Sequence, residues 1–245
     1  MKRRDLTIAM ELSSPRAEVA VGVAGGAPEV MAVSPQGRQG EALFTTLAQM
    51  TQCAGREPGD LTCVHVSIGP GGFTGIRTAV TAAKMLALAT GCRIVAVPTC
   101  DVVAWAACKE QPGDAERGRL AVMLACKGDH AIVAEYGIVD GRPVSVKEPA
   151  LADIAEVIQR FDQGRICADT ATLATVRKCG LSEGMGVVEA RFSAEACWDA
   201  GQAMAERGAF ADPMTLTPFY GREPEAVRLW ELRRNDEIRN PFGQR

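Results

Sequence analysis

Histidine is nearly missing from this sequence, with two residues in 245, and aromatic side chains make up only 5%. His65 and His130 stand far apart, so no paired-histidine helix motif exists and no metal site is expected. No Ser or Cys is placed by sequence beside His and Asp, so hydrolysis by an activated nucleophile is not expected either. Charge of one sign is also lacking: 27 Lys and Arg face 30 Asp and Glu, for a net charge of −3. Such a chain has no general pull on a phosphate backbone and is not expected to hold nucleic acid alone. No apolar run approaches a membrane span, and Met1-Lys-Arg-Arg lacks the apolar stretch of a signal peptide. The nine cysteines are scattered, odd in number and free of any Cys-x-x-Cys spacing. They read as small core hydrophobes in a reduced, cytoplasmic setting.

What is present is ordinary globular composition, 47% hydrophobic and 23% charged, in a chain long enough for one large or two smaller cores. Its organising stretch runs from Cys63 to Val97. Val64, Val66 and Ile68 alternate as in a strand, followed by Gly69-Pro-Gly-Gly-Phe-Thr-Gly75. Ile76, Ala79, Val80, Ala83, Leu86 and Ala87 then mark an apolar helical stripe. Thr74 is the expected N-cap, Gly91 the expected stop, and Arg93 to Val97 the returning strand.

This βαβ unit bends on glycine at the carboxyl end of its first strand, where open parallel sheets hold ligands. It is neither a Walker loop, because Ile76-Arg77 follows Gly75, nor a dinucleotide fingerprint, because Thr74 occupies the sixth place. Two readings remain. Gly69, Gly71, Gly72, Thr74 and Gly75 form a phosphate-compatible loop at a helix N-terminus, or the glycines serve turning and packing alone.

Gly69-Pro-Gly-Gly-Phe-Thr-Gly-Ile-Arg, with the Ala-rich helix carrying Lys84, resembles the signature of the TsaB (YeaZ) family. Ile8-Ala-Met-Glu-Leu-Ser-Ser is similar to that family's first strand, Ala125-Cys-Lys-Gly-Asp to its central strand ending, and Asp212 to Arg222 to its C-terminal segment. The match spans most of the chain in the correct order. It departs at Glu11, where the family has Asp, at Gln39-Gly40, where it often has His-Ser, and at Gly221, where leucine is usual.

The resemblance implies an α/β protein made of two ribonuclease-H-like domains in tandem, of the actin/hexokinase (ASKHA) superfamily. The pattern agrees: strands at Leu6–Met10, Glu18–Val23 and Glu29–Val33, a helix at Arg38–Cys53, then strand–helix–strand. After a helix begun by Thr99, the polar stretch Gln111 to Gly118 reads as a linker. Residues 1–111 and 112–245 are therefore expected to form the two domains. The second repeats the order with strands at Leu120–Ala125, His130–Ile138 and Pro143–Val146 and a helix at Leu151–Phe161. Strand Arg165–Ala168, helix Ala171–Cys179, strand Val187-Val188 and helix Ala194–Glu206 follow. A partly helical tail is expected from Glu225 to Leu232.

The resemblance further implies a non-catalytic scaffold for a TsaD-like enzyme that adds a threonylcarbamoyl group to the tRNA adenine beside the anticodon. A TsaE-like ATPase would join the pair, with ATP only at the complex junction, tRNA only within the complex, and no cofactor on this chain itself. The partner would meet the two helices of the first domain, at Leu43, Leu47, Thr78, Ala82, Met85 and Ala89; a homodimer through the same helices is the alternative. The competing reading is a small ATPase or kinase-like enzyme using Glu11 and the glycine loop, with Asp129, Asp140 or Asp169 as second carboxylate. Glu11, one methylene longer than the superfamily's Asp, argues against it.

Overall fold

The computed structural model describes residues 5–23, 26–34, 39–110, 118–161, 163–181 and 185–221. The linker expected at Gln111–Gly118, all but its last residue, and the tail helix at Glu225–Leu232 lie outside the described residues.

The first half contains β1 (Leu6–Glu11), β2 (Glu18–Val23), β3 (Glu29–Ala32), α1 (Gln39–Cys53), β4 (Leu61–Ser67), α2 (Phe73–Thr90), β5 (Arg93–Val97) and α3 (Thr99–Glu110). The second half repeats the series with β6 (Arg119–Lys127), β7 (His130–Val139), β8 (Arg142–Asp153), α4 (Ile154–Arg160), β9 (Gly164–Ala168), α5 (Thr170–Lys178), β10 (Met185–Glu189) and α6 (Ala194–Glu206). Each half builds a five-stranded sheet, ordered β3-β2-β1-β4-β5 and β10-β9-β6-β7-β8. Within each, the first three strands pair antiparallel and the next two join in parallel beside the first. The second sheet is thus wired as the first, which is the tandem ribonuclease-H-like, ASKHA arrangement.

Burial explains the strand compositions. Every residue of β1 is buried, as a central strand covered on both faces requires. Every residue of the edge strand β3 is exposed. Against the outer face of the first sheet, Leu43, Leu47 and Met50 of α1 and Ile76, Ala79, Val80 and Ala83 of α2 pack on Ile8, Met10, Val64 and Val66. Helices α4 and α5 cover the outer face of the second sheet.

The inner faces are covered crosswise. Cys100, Val103, Ala104 and Ala107 of α3 join the core of the second sheet. Ala194, Ala196, Cys197, Trp198 and Ala200 of α6 join Ala9, Ala20, Cys63, Val95 and Val97 of the first. The segment after α6 also returns to the first sheet, where the Ala211 N–H donates to Ile94 O at 2.8 Å and the Phe219 N–H to Ile68 O at 2.8 Å. Packing therefore crosses the expected division of the chain.

Two expectations are corrected here. The strand expected at Pro143–Val146 runs on to Asp153, and Leu151, placed in a helix by its pattern, pairs with Ile132. Helix α4 begins only where Asp153 can cap it, accepting from the Glu156 N–H at 3.0 Å; Pro149 is compatible with a strand at a sheet edge. Thr74 is not the cap of α2. The helix starts at Phe73 with Gly72 as N-cap and no side-chain cap bond. Gly91 does stop it, in the left-handed conformation at φ 72°.

Candidate functional site

The glycine bend is shaped by two chain segments that press against it. Gly69 has φ +112°, and a side chain there would overlap the Phe219 carbonyl; Gly71 has φ +157° and lies against Ser13. The Gly72 N–H, at the start of α2, donates to Ser13 O at 2.6 Å, and Gly69 O accepts from the Thr99 N–H at 2.8 Å. The helix terminus that was read as phosphate-compatible thus has one of its leading N–H groups occupied by main chain from the β1–β2 loop. Gly75 is buried, while Gly71, Gly72 and Thr74 are exposed.

Beside the bend, a cleft of about 320 Å³ separates the two halves, lined by Ser13, Pro15, Gly71 and Gly72 on one side and Ala125 and Asp169 among others on the opposite side. No Lys or Arg is among the described residues lining it. Asp169 is committed to structure: its Oδ1 accepts from the Thr172 N–H at 2.9 Å, capping α5, and its Oδ2 from the Ala125 N–H at 2.7 Å. Asp140 sits in the β7–β8 turn at φ 50°, and Asp129 in the turn between β6 and β7. Neither lines the cleft.

Glu11 lies at 0% exposure. Its Oε1 accepts from the Ser13 N–H at 2.7 Å and from the Ser13 hydroxyl. Its Oε2 has no hydrogen bond of ordinary geometry; the nearby Ser67 hydroxyl is 2.8 Å from Thr99 Oγ1. Burial pushes its pKa above the ordinary 4.5, against the hydrogen bonds of Ser13 and Ser67, and the charge of Glu18 adds to the rise. A carboxyl so placed holds the Ser13 turn in position and does not line the cleft.

His65 is buried against Trp198, with ring centroids 5.8 Å apart, and burial lowers its pKa to about 4. His130 is exposed at the start of β7. Among the described residues, no three His, Cys, Asp or Glu side chains gather in a way that suits a metal ion. Cys100, at the start of α3, is fully buried, and desolvation drives its thiol far up the pH scale. A Gly-x-Ser-x-Gly spacing does occur at Gly180–Gly184, which sequence reasoning passed over. It follows helix α5 instead of joining a strand to a helix, and Ser182 lies outside the described residues.

The outward surface of the first half offers a different kind of feature. Along α2, Phe73, Thr74, Arg77, Thr81, Met85, Leu88 and Ala89 are exposed and Thr78 is half-buried, with Met85 at 57% and Leu88 at 70%. Arg77 is the single charge among them, and its guanidinium lies over the Phe73 ring at 4.9 Å. Phe44 of α1 adds to this face beside an apolar hollow of about 290 Å³ floored by Leu6, Ile8 and Leu61. Three of the residues expected at a partner surface are not on it: Leu43, Leu47 and Ala82 are buried in the core. α2 packs against α1 as well as the sheet, so its buried side is wider than one stripe.

Residues 35–191 match the family model of TsaD, tRNA N6-adenosine threonylcarbamoyltransferase. The solved structure of YeaZ from Pseudomonas aeruginosa superposes with a TM-score of 0.75 at 18% identity, over 88% of this chain and 99% of that one. The chain belongs to the TsaD family, and its fold is that of YeaZ. A second P. aeruginosa structure, described as having similarity to peptidase YeaZ, aligns with TM-score 0.74 and 19% identity over 89% of this chain and 100% of that one. A polyphosphate/ATP-glucomannokinase from Arthrobacter sp. strain KM is a weaker likeness, with TM-score 0.44 and 12% identity over 83% and 99% of the two chains. No curated protein matches. Membership of the TsaD family links the chain to threonylcarbamoyladenosine modification of tRNA. No helix among the described residues is long and apolar enough to cross a membrane.

Proposed function

We propose that this chain is a non-catalytic scaffold subunit, required by a TsaD-type enzyme for threonylcarbamoyladenosine modification of tRNA, and that it meets that enzyme through the outer face of α1 and α2. The observation that carries the reading is the Gly72 N–H bonded to Ser13 O, because it makes the glycine bend a packing element where a phosphate would otherwise be received. Two further features support it. The carboxyl at the superfamily's first-strand position is buried, with no hydrogen bond of ordinary geometry at Oε2, and the cleft lining offers no cation among its described residues.

The face itself supports the partner reading. An exposed helix side with Phe73, Met85 and Leu88 and one charge is the kind of contiguous apolar surface that marks a protein contact. On this reading the chain has no cofactor of its own, ATP and a TsaE-like ATPase belong to the junction with the enzyme, and tRNA meets the chain only within that complex. A homodimer through the same helices would use the same surface in the enzyme's absence.

The test is co-elution with a TsaD-type protein and reconstituted modification of tRNA. Met85→Arg with Leu88→Arg is expected to abolish both while leaving the melting temperature within a few degrees of the parent. Ala82→Arg is unsuitable as a probe, because a cation at that buried site disrupts the fold itself. Undiminished co-elution of the Met85/Leu88 variant, or ATP hydrolysis by the isolated chain that is lost in Glu11→Ala, would overturn the proposal.

A further inference from the structure

The one fully exposed cation of α2 is held in place by aromatic rings. Tyr220 stacks on Phe73 with centroids 5.2 Å apart, and the Arg77 guanidinium lies 4.9 Å from the centroid of that same Phe73 ring. The residue itself stays exposed. Arg56, Arg119, Arg160 and Arg191 each lie against a carboxylate of this chain. Arg77 has no ion pair with any described residue.

Its surroundings carry charge of one sign. Over 18 residues α2 contains Arg77 and Lys84 and not one Asp or Glu. The half-buried Lys84 ammonium donates to Leu216 O at 3.1 Å, a neutral main-chain acceptor. The first turn of α2 has neither an acidic residue nor a side-chain cap, although negative charge is favoured there. Arg77, Thr81, Lys84 and Leu88 stand at i, i+4, i+7 and i+11, so they share one side of the helix over about 16 Å. Positive charge without a counter-charge marks the N-terminal part of that side, and apolar Met85 and Leu88 mark its other end.

We propose that this face takes a segment of the TsaD-type enzyme that presents a carboxylate to Arg77 and apolar side chains to Met85 and Leu88. This rests on the partner reading given above and adds the chemistry of the surface that answers it. A guanidinium stacked on an aromatic ring keeps its N–H edge for a planar acceptor with two oxygens, which a carboxylate supplies. An RNA backbone is held by several cations acting together, whereas here a single exposed cation borders an apolar strip. The apolar contacts supply affinity, and the ion pair selects an acidic partner and fixes its register.

The test uses the full chain with the TsaD-type protein of the same organism. Arg77→Lys keeps the charge and supplies an amine. A zero-length carbodiimide is expected to join position 77 to an Asp or Glu of the enzyme, located by peptide mass spectrometry. Arg77→Gln is expected to raise the Kd for the enzyme at least about tenfold at low salt and to flatten its dependence on ionic strength. Crosslinks from position 77 only to acids of this chain or of a second copy would overturn the proposal. So would a Kd unchanged by Arg77→Gln, or enzyme binding kept while tRNA retention by the complex falls. The Met85/Leu88 variant separates the two failures. If it loses the enzyme while Arg77→Gln keeps it, the carboxylate is refuted and the face stands; if both keep the enzyme, the scaffold reading itself fails.

Discussion

The two halves share one wiring and differ in how they finish the turn from their fourth strand into the next helix. In the second half, β9 leads into α5 through Asp169, whose own carboxylate caps the helix and also holds Ala125. In the first half, β4 leads into α2 through glycines with no side-chain cap, and the turn is completed by Ser13 and Phe219, distant in sequence. A local solution serves one turn and a long-range one the other. The glycine-rich version ties the β1–β2 loop, the bend and the segment after α6 into one piece, so it should be the more fragile.

Substitution at the bend should have the largest effect. Gly69→Ala forces a Cβ onto the Phe219 carbonyl at a φ of +112°, and a loss above roughly 3 kcal/mol is expected by urea unfolding. Asp169→Ala removes a cap and a second main-chain contact, and about 1–2 kcal/mol is expected in the same assay. If the second change cost more than the first, the contrast between the turns would be reversed. The Met85/Leu88 double substitution comes between them in a different currency, loss of partner co-elution with stability kept.

Glu11 separates the halves by pH. Its folded pKa is raised above the unfolded 4.5, so the folded state keeps a proton that the unfolded state has released. The stability contributed is therefore present below about 4.5 and lost as pH rises through the higher folded value. Glu11→Gln, which keeps the acceptor for Ser13 and cannot ionise, is expected to gain stability at pH 8 relative to pH 5. Urea midpoints of the two proteins that stay parallel across that range would remove the buried carboxyl from the account. The smallest effect belongs to the surface of the second half. Glu135 is within reach of Arg160 at 2.9 Å, Arg119 at 3.4 Å and Lys147 at 4.0 Å, so Lys147→Ala should change stability by less than about 0.5 kcal/mol.

Much of the architecture was legible from local pattern. Strands Glu18–Val23 and Arg93–Val97 and helix Ala194–Glu206 have the limits that alternation and periodicity predict. The β8–α4 boundary was not, because Leu151-Ala152 suits strand and helix alike and pairing with Ile132 decides it. The surface residues were half legible. Met85 and Ala89 are exposed as expected, but burial of Ala82 depends on α1, which a helical wheel of α2 alone does not contain. The roles of Ser13 and Phe219 at the bend had no local signal at all, since both contacts are long-range main-chain contacts.

The crosswise cover of the inner faces has a consequence for synthesis on the ribosome. When residues 1–110 have emerged, Ala9, Ala20, Val95 and Val97 still lack Trp198 and Ala200, which translation supplies nearly a hundred residues later. The first sheet thus waits, one side bare, for most of the chain to be made. A nascent fragment halted before α6 is a natural client for a chaperone, and separate expression of residues 1–110 should yield aggregate in place of a folded domain.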